Sequence, residues 1–227
     1  MKPQISIIMP VLNEAAQLAD KLQALQALRS RCELLLVDGG SIDAGPTVAE
    51  PWVDQVLQSP RGRSRQMNLG ARHAQAEVLL FLHADTQLPE LAVELIMSAV
   101  EQGAEWGRFD VQFDSRQAIF KLIAGMMNAR SRLTGIATGD QAIFMSRQAF
   151  QAVGGFPEIA LMEDIAISVA LKKLAKPCCL KAKVVTSARR WQHYGILRTI
   201  LLMWCLRLRY FFGASPDELA ARYYRRQ

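Results

Sequence analysis

Val78-Leu79-Leu80-Phe81-Leu82 is a run of apolar residues that leads directly into His83-Ala84-Asp85. A short continuous apolar run that ends at polar residues is typical of a strand buried in the middle of a parallel sheet. Open α/β sheets bind their ligands just beyond the carboxyl ends of such strands. We therefore expect Asp85 to face a ligand, and we expect His83-Ala84-Asp85 to form a corner that binds a metal ion and a diphosphate.

Strands and helices alternate on both sides of this run. The predicted strands span residues 5–9, 33–37, 52–57, 78–82, 106–113, 142–145 and 180–185. The predicted helices span residues 14–28, 63–74, 90–102, 118–127 and 163–174. Alternation of apolar and polar residues within 106–113 predicts a half-exposed strand. This order predicts an α/β fold with a mostly parallel central sheet and right-handed crossovers.

The composition is that of a globular chain, with 227 residues, 51% of them hydrophobic and 21% charged. We expect one domain over residues 1–192 and a helical extension over residues 193–227, because no repeat or linker interrupts the pattern. The cysteines show no pairing framework, which favours a reducing compartment. A signal-peptide pattern and an uncharged apolar stretch of about 18 residues are both missing, so we expect a cytoplasmic protein.

The net charge of +6 suits nucleic acid, anionic lipid or a phosphate-bearing substrate as a partner. The chain has no block of five basic residues and only 7% aromatic residues, so nucleic acid is the weakest of the three. We expect no nucleic-acid partner. No feature of the sequence indicates the oligomeric state.

Polar clusters follow four of the predicted strands. They are Pro10-Val11-Leu12-Asn13-Glu14, Asp38-Gly39-Gly40-Ser41-Ile42-Asp43, His83-Ala84-Asp85 and Gly139-Asp140-Gln141. A single acid after a strand is more often a helix cap or a turn residue than a functional group. The carboxyl ends of parallel strands meet at one edge, so the first three clusters together favour a ligand site there.

In this order the motifs resemble those of the family 2 glycosyltransferases, which have the nucleotide-sugar-binding GT-A fold. The resemblance covers residues 4–192 and rests on residues 7–14, 37–43 and 83–85, on Glu163-Asp164 and on Arg190-Trp191. It is greatest to a compact bacterial subgroup with L-H-A-D in place of the usual D-x-D. It implies an inverting transfer of a sugar from a UDP- or GDP-linked donor to a small or lipid-bound hydroxyl.

The resemblance also implies roles for residues of the nucleotide-sugar site. Asp38 would accept a hydrogen bond from an N–H of uracil or guanine. The other residues that it places on the donor side are Pro10, Asn13, Glu14, Gly39, Arg65, Asn68, His83, Ala84, Asp85, Asp140 and Arg190. The arginines of residues 61–65 either reach phosphate or belong to a solvated basic loop, and the sequence leaves both open.

By the same resemblance, Asp85 would coordinate a divalent cation, Mn²⁺ or Mg²⁺, that bridges the two phosphates. His83 stands where the family usually has an acid, which puts strict metal dependence in doubt. It is a second metal ligand, a hydrogen-bond partner of ribose or phosphate, or a core histidine.

The resemblance implies that Asp164 is the general base, with Glu163 beside it. Two close carboxylates raise one pKa, although acids are also favourable at a helix start for electrostatic reasons alone. Asp140 is a weaker candidate for the base, and Gln141 and Trp191 would contact the acceptor. The glutamine of the Q-x-x-R-W element of processive relatives is missing, which argues against polymer synthesis.

The segment 196–212 predicts an imperfect amphipathic helix. Its apolar stripe consists of Ile196, Ile200, Trp204, Leu208 and Phe211, widened by Leu197, Leu201 and Phe212. Arg198 and Arg209 lie elsewhere on the helix, and Arg207 lies near the edge of the apolar arc. Such a helix either lies in a membrane interface or packs on the domain or a second subunit. The tail from 220 to 227 adds Arg222, Arg225 and Arg226.

Two rival functions use a related fold. A sugar-nucleotide nucleotidyltransferase would need a glycine-rich basic loop after the first strand, where this chain has the acidic Pro10–Glu14 segment. A non-catalytic binding or membrane module would not need Asp38, Asp85 and Asp164 together. A dinucleotide-binding oxidoreductase is disfavoured because no G-x-G-x-x-G follows any strand.

Overall fold

Residues 2–224 are described by the computed structural model, and within them seven strands form one sheet. The strands are β1 Ile5–Val11, β2 Cys32–Asp38, β3 Gln55–Gln58, β4 Val78–Phe81, β5 Trp106–Phe113, β6 Ile143–Ser146 and β7 Cys178–Thr186. The helices are α1 Ala15–Ala24, α2 Gly45–Ala49, α3 Arg63–His73, α4 Ala92–Glu101, α5 Ala118–Thr134, α6 Arg147–Ala152, α7 Glu163–Leu171, α8 Arg189–Tyr194, α9 Ile196–Phe211 and α10 Pro216–Tyr224. Short 3₁₀ helices lie at Gln26–Leu28, Glu50–Trp52 and Gly139–Gln141.

The strand order across the sheet is β3-β2-β1-β4-β6-β5-β7. β6 runs antiparallel to both of its neighbours, and every other pairing is parallel. The prediction of a mostly parallel sheet with flanking helices is therefore confirmed. Val11 and Asp38, the last residues of β1 and β2, are paired in register. The loops that follow β1, β2 and β4 consequently leave the sheet at the same edge.

The sheet has an apolar layer on each face. Side chains alternate along β1, so that Ile7 contributes to the layer covered by α1, α4 and α5, and Ile8 to the layer covered by α3, α6 and α7. Every residue of β1 and β2 is buried, which explains why both strands are mostly apolar. A Cβ at Gly70 would lie 2.4 Å from Ile8 Cγ2, so glycine at this position lets α3 approach β1 closely.

Several predicted boundaries differ from the observed ones. β3 begins at Gln55 and not at 52, because Glu50–Trp52 forms a 3₁₀ turn with a proline inside it. α1 ends at Ala24 and is followed by a separate 3₁₀ turn. α5 continues to Thr134, seven residues beyond the predicted end. The short helices α2, α6 and α8 were not predicted, since segments of five or six residues show no helical period.

The prediction that β5 is half exposed is wrong. All of its residues except Gln112 are buried. Arg108 is fully buried and donates to Asp110 and, at 3.0 Å, to Ser131 Oγ of α5. Arg132 of α5 also donates to Asp110, at 2.8 Å. Because these charged side chains pair with each other inside the fold, their presence does not indicate that the strand is exposed to solvent.

The C-terminal helices pack on the start of α7. Leu206 of α9 and Leu219 of α10 are buried together with Met162, next to Leu202, Met203 and Tyr210. Along residues 2–224, no helix is long and apolar enough to cross a membrane. Arg225 and Arg226 of the predicted basic tail lie outside the described residues.

The apolar arc of α9 is divided between two environments. Ile196 and Ile200, which the sequence placed on one stripe with Trp204, pack instead against the domain core. The exposed stripe repeats at intervals of four and three residues, and consists of Leu197, Leu201, Trp204, Leu208 and Phe211. One face of α9 therefore packs on the domain, and an apolar face remains at the surface.

Candidate functional site

The loops after β1 and β2 are joined by three hydrogen bonds. The backbone N–H of Asn13 donates to Ser41 Oγ, the N–H of Ile42 donates to Asn13 Oδ1, and the N–H of Ala15 donates to Asp43, all at 2.9 Å. Asn13 adopts a left-handed backbone conformation with φ of 56°, which asparagine tolerates better than most residues. The two loops form one rim at the edge of the sheet.

Asp38 lies at the base of this rim and is only 2% exposed. Its carboxylate accepts hydrogen bonds from the N–H groups of Gly40 and Ser41, both at 3.0 Å, and from the Ser41 hydroxyl. In this structure Asp38 shapes its own loop. Because Asp38 is almost fully buried, contact with a nucleobase would require the loop around it to shift.

Gln66 of α3 connects the ends of β1 and β2. Its Nε2 donates to the carbonyls of Val11 and Val37, at 2.8 and 2.7 Å. A Cβ at Gly39 would lie 2.9 Å from the Gln66 side chain, so glycine is needed for this close packing. The sequence predicted Gly39 as a site residue but gave no sign of Gln66, because a buried glutamine resembles any polar helix residue.

The corner after β4 faces the 3₁₀ turn Gly139–Gln141. His83 Nδ1 lies 3.4 Å from Asp140 Oδ1. Burial would raise the pKa of Asp140, but His83, Arg63 and Arg190 outweigh it and hold that pKa below its ordinary value. A Cβ on Gly139 would lie 2.2 Å from His83 Nε2, so that nitrogen is packed against the turn. Both ring nitrogens therefore lie next to the turn, and metal binding by His83 stays a prediction.

Gly139→Ala should lower the free energy of unfolding by about 1–3 kcal/mol, because the added methyl group overpacks the His83 ring. Urea denaturation measures the change. Gly125→Ala is the matched control, since nothing lies within 4 Å of a Cβ at this helical glycine. The control should be neutral or slightly stabilising. Equal effects of the two substitutions would contradict the packing of His83 on Gly139.

Asp85 and Glu14 lie within electrostatic range of each other at the same edge. Burial and the charge of Asp85 raise the pKa of Glu14, against the opposing effects of Arg189 and Arg63. Arg189 Nη2 lies 3.9 Å from Glu14 Oε2. Two neighbouring carboxylates offer the hard oxygen ligands that Mg²⁺ and Mn²⁺ prefer. Within residues 2–224, no cluster of three or more His, Cys, Asp or Glu side chains could hold a metal ion alone. A cation here would therefore share the two carboxylates with phosphate oxygens or water.

The start of α7 carries the second pair of acids. Glu163 is 5% exposed, and its Oε1 lies 3.7 Å from Arg63 Nη1. Burial raises the pKa of Glu163, Arg63 opposes the rise, and Asp164 adds to it. Asp164 is less buried and accepts a hydrogen bond from the N–H of Gly139 at 3.1 Å. Asp164 is thereby tied to the turn that carries Asp140.

Arg63 is the arginine of α3 that points at these acids. It lies within electrostatic range of Glu163, Asp140 and Asp164, which raise its pKa against the effect of burial. The predicted residue, Arg65, is exposed to the same extent as Arg63 but pairs with Glu158, at 3.2 Å. The helical period of the sequence indicates this direction, because Arg63 shares a helix face with the buried Met67 and Gly70.

Asn68 and Gln141 have structural contacts in place of the predicted ligand contacts. Both ends of the Asn68 amide bond the backbone of Phe156, at 2.8 and 2.9 Å. Gln141 is fully buried and caps the 3₁₀ turn by bonding Thr138. Neither side chain faces the edge of the sheet where the acids meet.

Arg190 and Trp191 lie on α8 beside the site. The Arg190 guanidinium lies 4.0 Å from the centre of the Tyr223 ring and also bonds the Tyr223 hydroxyl. Burial lowers the pKa of Arg190, and Asp140 opposes this effect, so Arg190 lies within range of Asp140. Trp191 packs edge-on against Phe113, with ring centres 5.6 Å apart. α10 therefore helps to position Arg190.

Comparison with known proteins gives a family match. The model of the family described as "Glycosyl transferase family 2" matches residues 6–153. The undecaprenyl-phosphate 4-deoxy-4-formamido-L-arabinose transferase of Pseudomonas fluorescens (strain Pf0-1) is 29% identical over 154 residues, which are 60% of this chain and 44% of that protein. The enzyme of the same name from Pseudomonas savastanoi pv. phaseolicola is 31% identical over 111 residues, 44% of this chain and 33% of that protein. The chain thus spans less than half the length of these curated relatives.

Solved structures share the fold. One is a mannosyltransferase from Pyrobaculum calidifontis in complex with GDP-Man and Mn²⁺. It superimposes with a TM-score of 0.62 at 19% identity, and the match covers 82% of this chain and 57% of the mannosyltransferase chain. S. aureus TarS 1–349 in complex with UDP-GlcNAc gives a TM-score of 0.64 at 17% identity, over 82% of this chain and 58% of its own. At these identities the likeness establishes the fold, which is the GT-A fold.

Proposed function

The chain belongs to glycosyl transferase family 2, and from this premise we propose that it transfers a sugar, with inversion, from a UDP- or GDP-linked donor to a hydroxyl acceptor. The observation that carries the proposal is the meeting of two acid pairs at one edge of the sheet. Glu14 and Asp85 lie after β1 and β4. Glu163 and Asp164 lie at the start of α7. Asp164 accepts a hydrogen bond from Gly139, which belongs to the turn that faces His83.

We assign the sugar-nucleotide donor to the rim formed by the loops after β1 and β2. Pro10, Asn13, Asp38 and Gly39 belong to this rim, and Ala84 continues it after β4. Arg190 and Arg63 supply positive charge beside Asp140, where the diphosphate would lie. Asp85, with Glu14 opposite, would hold the divalent cation. When bound, Mn²⁺ or Mg²⁺ neutralises charge on the departing diphosphate.

In the proposed step, the acceptor oxygen forms a bond to the anomeric carbon of the sugar while the bond from that carbon to the diphosphate breaks. Asp164 takes the proton of the acceptor hydroxyl, since a base has to act on the side opposite the leaving nucleotide. The N–H of Gly139 holds the Asp164 carboxylate in place at 3.1 Å. Glu163 is buried against Arg63, so its part is to position that arginine.

We propose a lipid-bound acceptor and peripheral contact with the cytoplasmic face of a membrane. The curated relatives are named for undecaprenyl phosphate as their acceptor. On α9, Trp204, Leu208 and Phe211 are 62%, 59% and 82% exposed. Exposed Arg198 and Arg209 lie on the same helix and would meet lipid phosphates. The apolar stripe and the arginines together fit an anionic bilayer surface.

A variant with Leu201→Asp and Leu208→Asp should lose vesicle binding by more than about 10-fold, since burial of each leucine contributes roughly 1.5–3 kcal/mol. Flotation with phosphatidylglycerol vesicles measures the change. Leu91→Asp is the matched control, because Leu91 is an equally exposed leucine outside the C-terminal helices. A wild-type chain that ignores vesicles and forms a dimer through α9 would contradict membrane contact.

The proposed reaction is tested by incubating the chain with UDP-, GDP- and TDP-sugars and Mn²⁺, with and without lipid-linked and small hydroxyl acceptors. Release of nucleoside diphosphate that depends on the acceptor is the expected result. Nucleotide transfer onto a sugar phosphate would identify a nucleotidyltransferase instead. Binding of the sugar nucleotide without any turnover would identify a non-catalytic module.

A further inference from the structure

Arg130 of α5 is a partly buried cation that the proposed reaction does not use. Its Nε and Nη2 are shielded from solvent, and no acceptor within residues 2–224 bonds either atom. A buried polar group without a partner is unfavourable, and a buried charge more so. The two atoms therefore mark a place where an acceptor of hydrogen bonds would be stabilising.

The two unpaired atoms belong to one edge of the guanidinium group. Nε–H and one N–H of Nη2 point in parallel, which is the fork that binds two oxygens of a phosphate or carboxylate at once. Nearby Arg108 also has a buried guanidinium, but its donors are taken by Asp110, Ser131 and Asn128. The open fork distinguishes Arg130 from this structural arginine.

The surroundings of Arg130 are positive on the side of α9. Arg207 of α9 and Arg108 lie within electrostatic range of Arg130, and Asp164 is the acid that opposes them. Burial, and then Arg207, lower the pKa of Arg130 to about 10. Tyr210 of α9 is close enough to Asp164 for that acid to raise its pKa in addition to burial. Arg130 therefore lies within electrostatic range of both the proposed base and α9, the helix with the exposed apolar stripe.

We propose that Arg130, together with Arg207, forms a subsite for a phosphomonoester group of the acceptor, next to Asp164. The inference rests on the proposed function for the position of the reaction. A phosphomonoester carries a charge of about −1.5 to −2 near neutral pH and has three strong acceptor oxygens, so it matches the fork and the paired arginines. The fork is shielded, so ligand binding has to displace the side chains that cover it.

The phosphate could be carried by a lipid or by a soluble molecule. The exposed stripe of α9 favours a lipid phosphate. The apolar tail of the lipid would lie on the exposed stripe, and its phosphate would lie at the edge of the same helix. If a phosphate oxygen of the lipid attacks the sugar, it is already largely ionised at neutral pH and needs little help from Asp164. A soluble phosphate ester that attacks through a hydroxyl group needs Asp164 to take the proton of that hydroxyl.

The test measures binding of a short polyprenyl monophosphate and of the matching polyprenol, both in detergent micelles, to the full chain by calorimetry. The wild type should bind the phosphate about 10- to 100-fold more tightly than the alcohol, as expected of charge-assisted bidentate hydrogen bonds. Arg130→Met should abolish this preference, and Arg130→Lys should keep part of it. Arg116→Met, at an exposed arginine just before α5, should leave the preference unchanged.

Thermal unfolding separates this role from a structural one. Without ligand, Arg130→Met should be as stable as the wild type or more stable, because it removes a buried charge that has no partner. A destabilised Arg130→Met, equal wild-type affinity for phosphate and alcohol, or a preference that survives Arg130→Met would overturn the proposal. Competition by inorganic phosphate and by 3-phosphoglycerate, if it depends on Arg130, would assign the subsite to soluble phosphate esters as well.

Failure of this inference differs from failure of the proposed reaction. Sugar-nucleotide binding by Arg130→Met should equal that of the wild type, because Arg130 is not assigned to the sugar donor. A wild-type chain that binds sugar nucleotides but shows no preference for phosphate contradicts the subsite alone. A wild-type chain that prefers phosphate but binds no sugar nucleotide contradicts the proposed reaction.

Discussion

Asp164→Asn should reduce sugar transfer to a hydroxyl acceptor about 10²- to 10⁴-fold, the usual contribution of a general base. The asparagine keeps the shape of the side chain and can still accept the hydrogen bond from Gly139. What it loses is the ability to take a proton. Affinity for the sugar nucleotide should therefore be unchanged, and kcat should carry the whole loss. Steady-state kinetics together with calorimetric titration of the donor measure both quantities.

Asp140→Asn serves as the comparison for the base. Asp140 is the weaker candidate, and its carboxylate is engaged with His83 and held at a low pKa by the surrounding positive charges. Because a low pKa makes a poor base near neutral pH, we expect a smaller loss of kcat than in Asp164→Asn. Near-normal transfer by Asp164→Asn to a hydroxyl acceptor would show that the assignment of the base is wrong.

Asp85→Ala should weaken binding of the sugar nucleotide in Mn²⁺ by at least about 10-fold, since changes even to groups that only support a metal ligand cost 10- to 100-fold in metal affinity. The remaining Glu14 would face the diphosphate without its partner carboxylate. Dependence of donor affinity on Mn²⁺ should disappear in the same variant. Calorimetric titrations with and without Mn²⁺ measure both effects.

The control for Asp85→Ala is Asp217→Ala, which removes an exposed acid from α10. It changes the net charge by the same amount and lies outside the edge of the sheet. Donor affinity of Asp217→Ala should match that of the wild type. If Asp85→Ala also keeps wild-type affinity in the presence of Mn²⁺, Asp85 is not the metal ligand.

The central strands could be predicted because burial on both faces leaves a direct record in the sequence. β1, β2 and β4 are mostly apolar runs, and the polar clusters after them mark the edge at which the loops meet. The burial of β5 could not be predicted from its sequence in the same way. Its Arg108 and Asp110 alternate with apolar residues as on a solvated strand, and only their contacts with α5 show that both are buried.

Within the site, residues on loops after strands were easier to predict than residues on helices. Glu14, Asp85 and Asp164 lie where their motifs indicated, at strand or helix ends. Arg65 and Gln141 do not, since the first pairs with Glu158 and the second caps a buried turn. A motif places a residue type in a loop, but the direction of its side chain depends on tertiary contacts. For the same reason Gln66 and Arg130 are visible only in the folded chain.

The proposed function depends most directly on sugar-nucleotide binding assisted by a cation. Thermal unfolding of the wild-type chain with UDP-, GDP- and TDP-sugars, each with and without Mn²⁺, measures it. A ligand that binds only the native state raises its stability as RT ln(1 + [L]/Kd), about 2.7 kcal/mol at a concentration 100 times Kd. We predict a rise in melting temperature with at least one UDP- or GDP-sugar, and a larger rise in Mn²⁺. No shift with any sugar nucleotide, with or without Mn²⁺, would contradict the account.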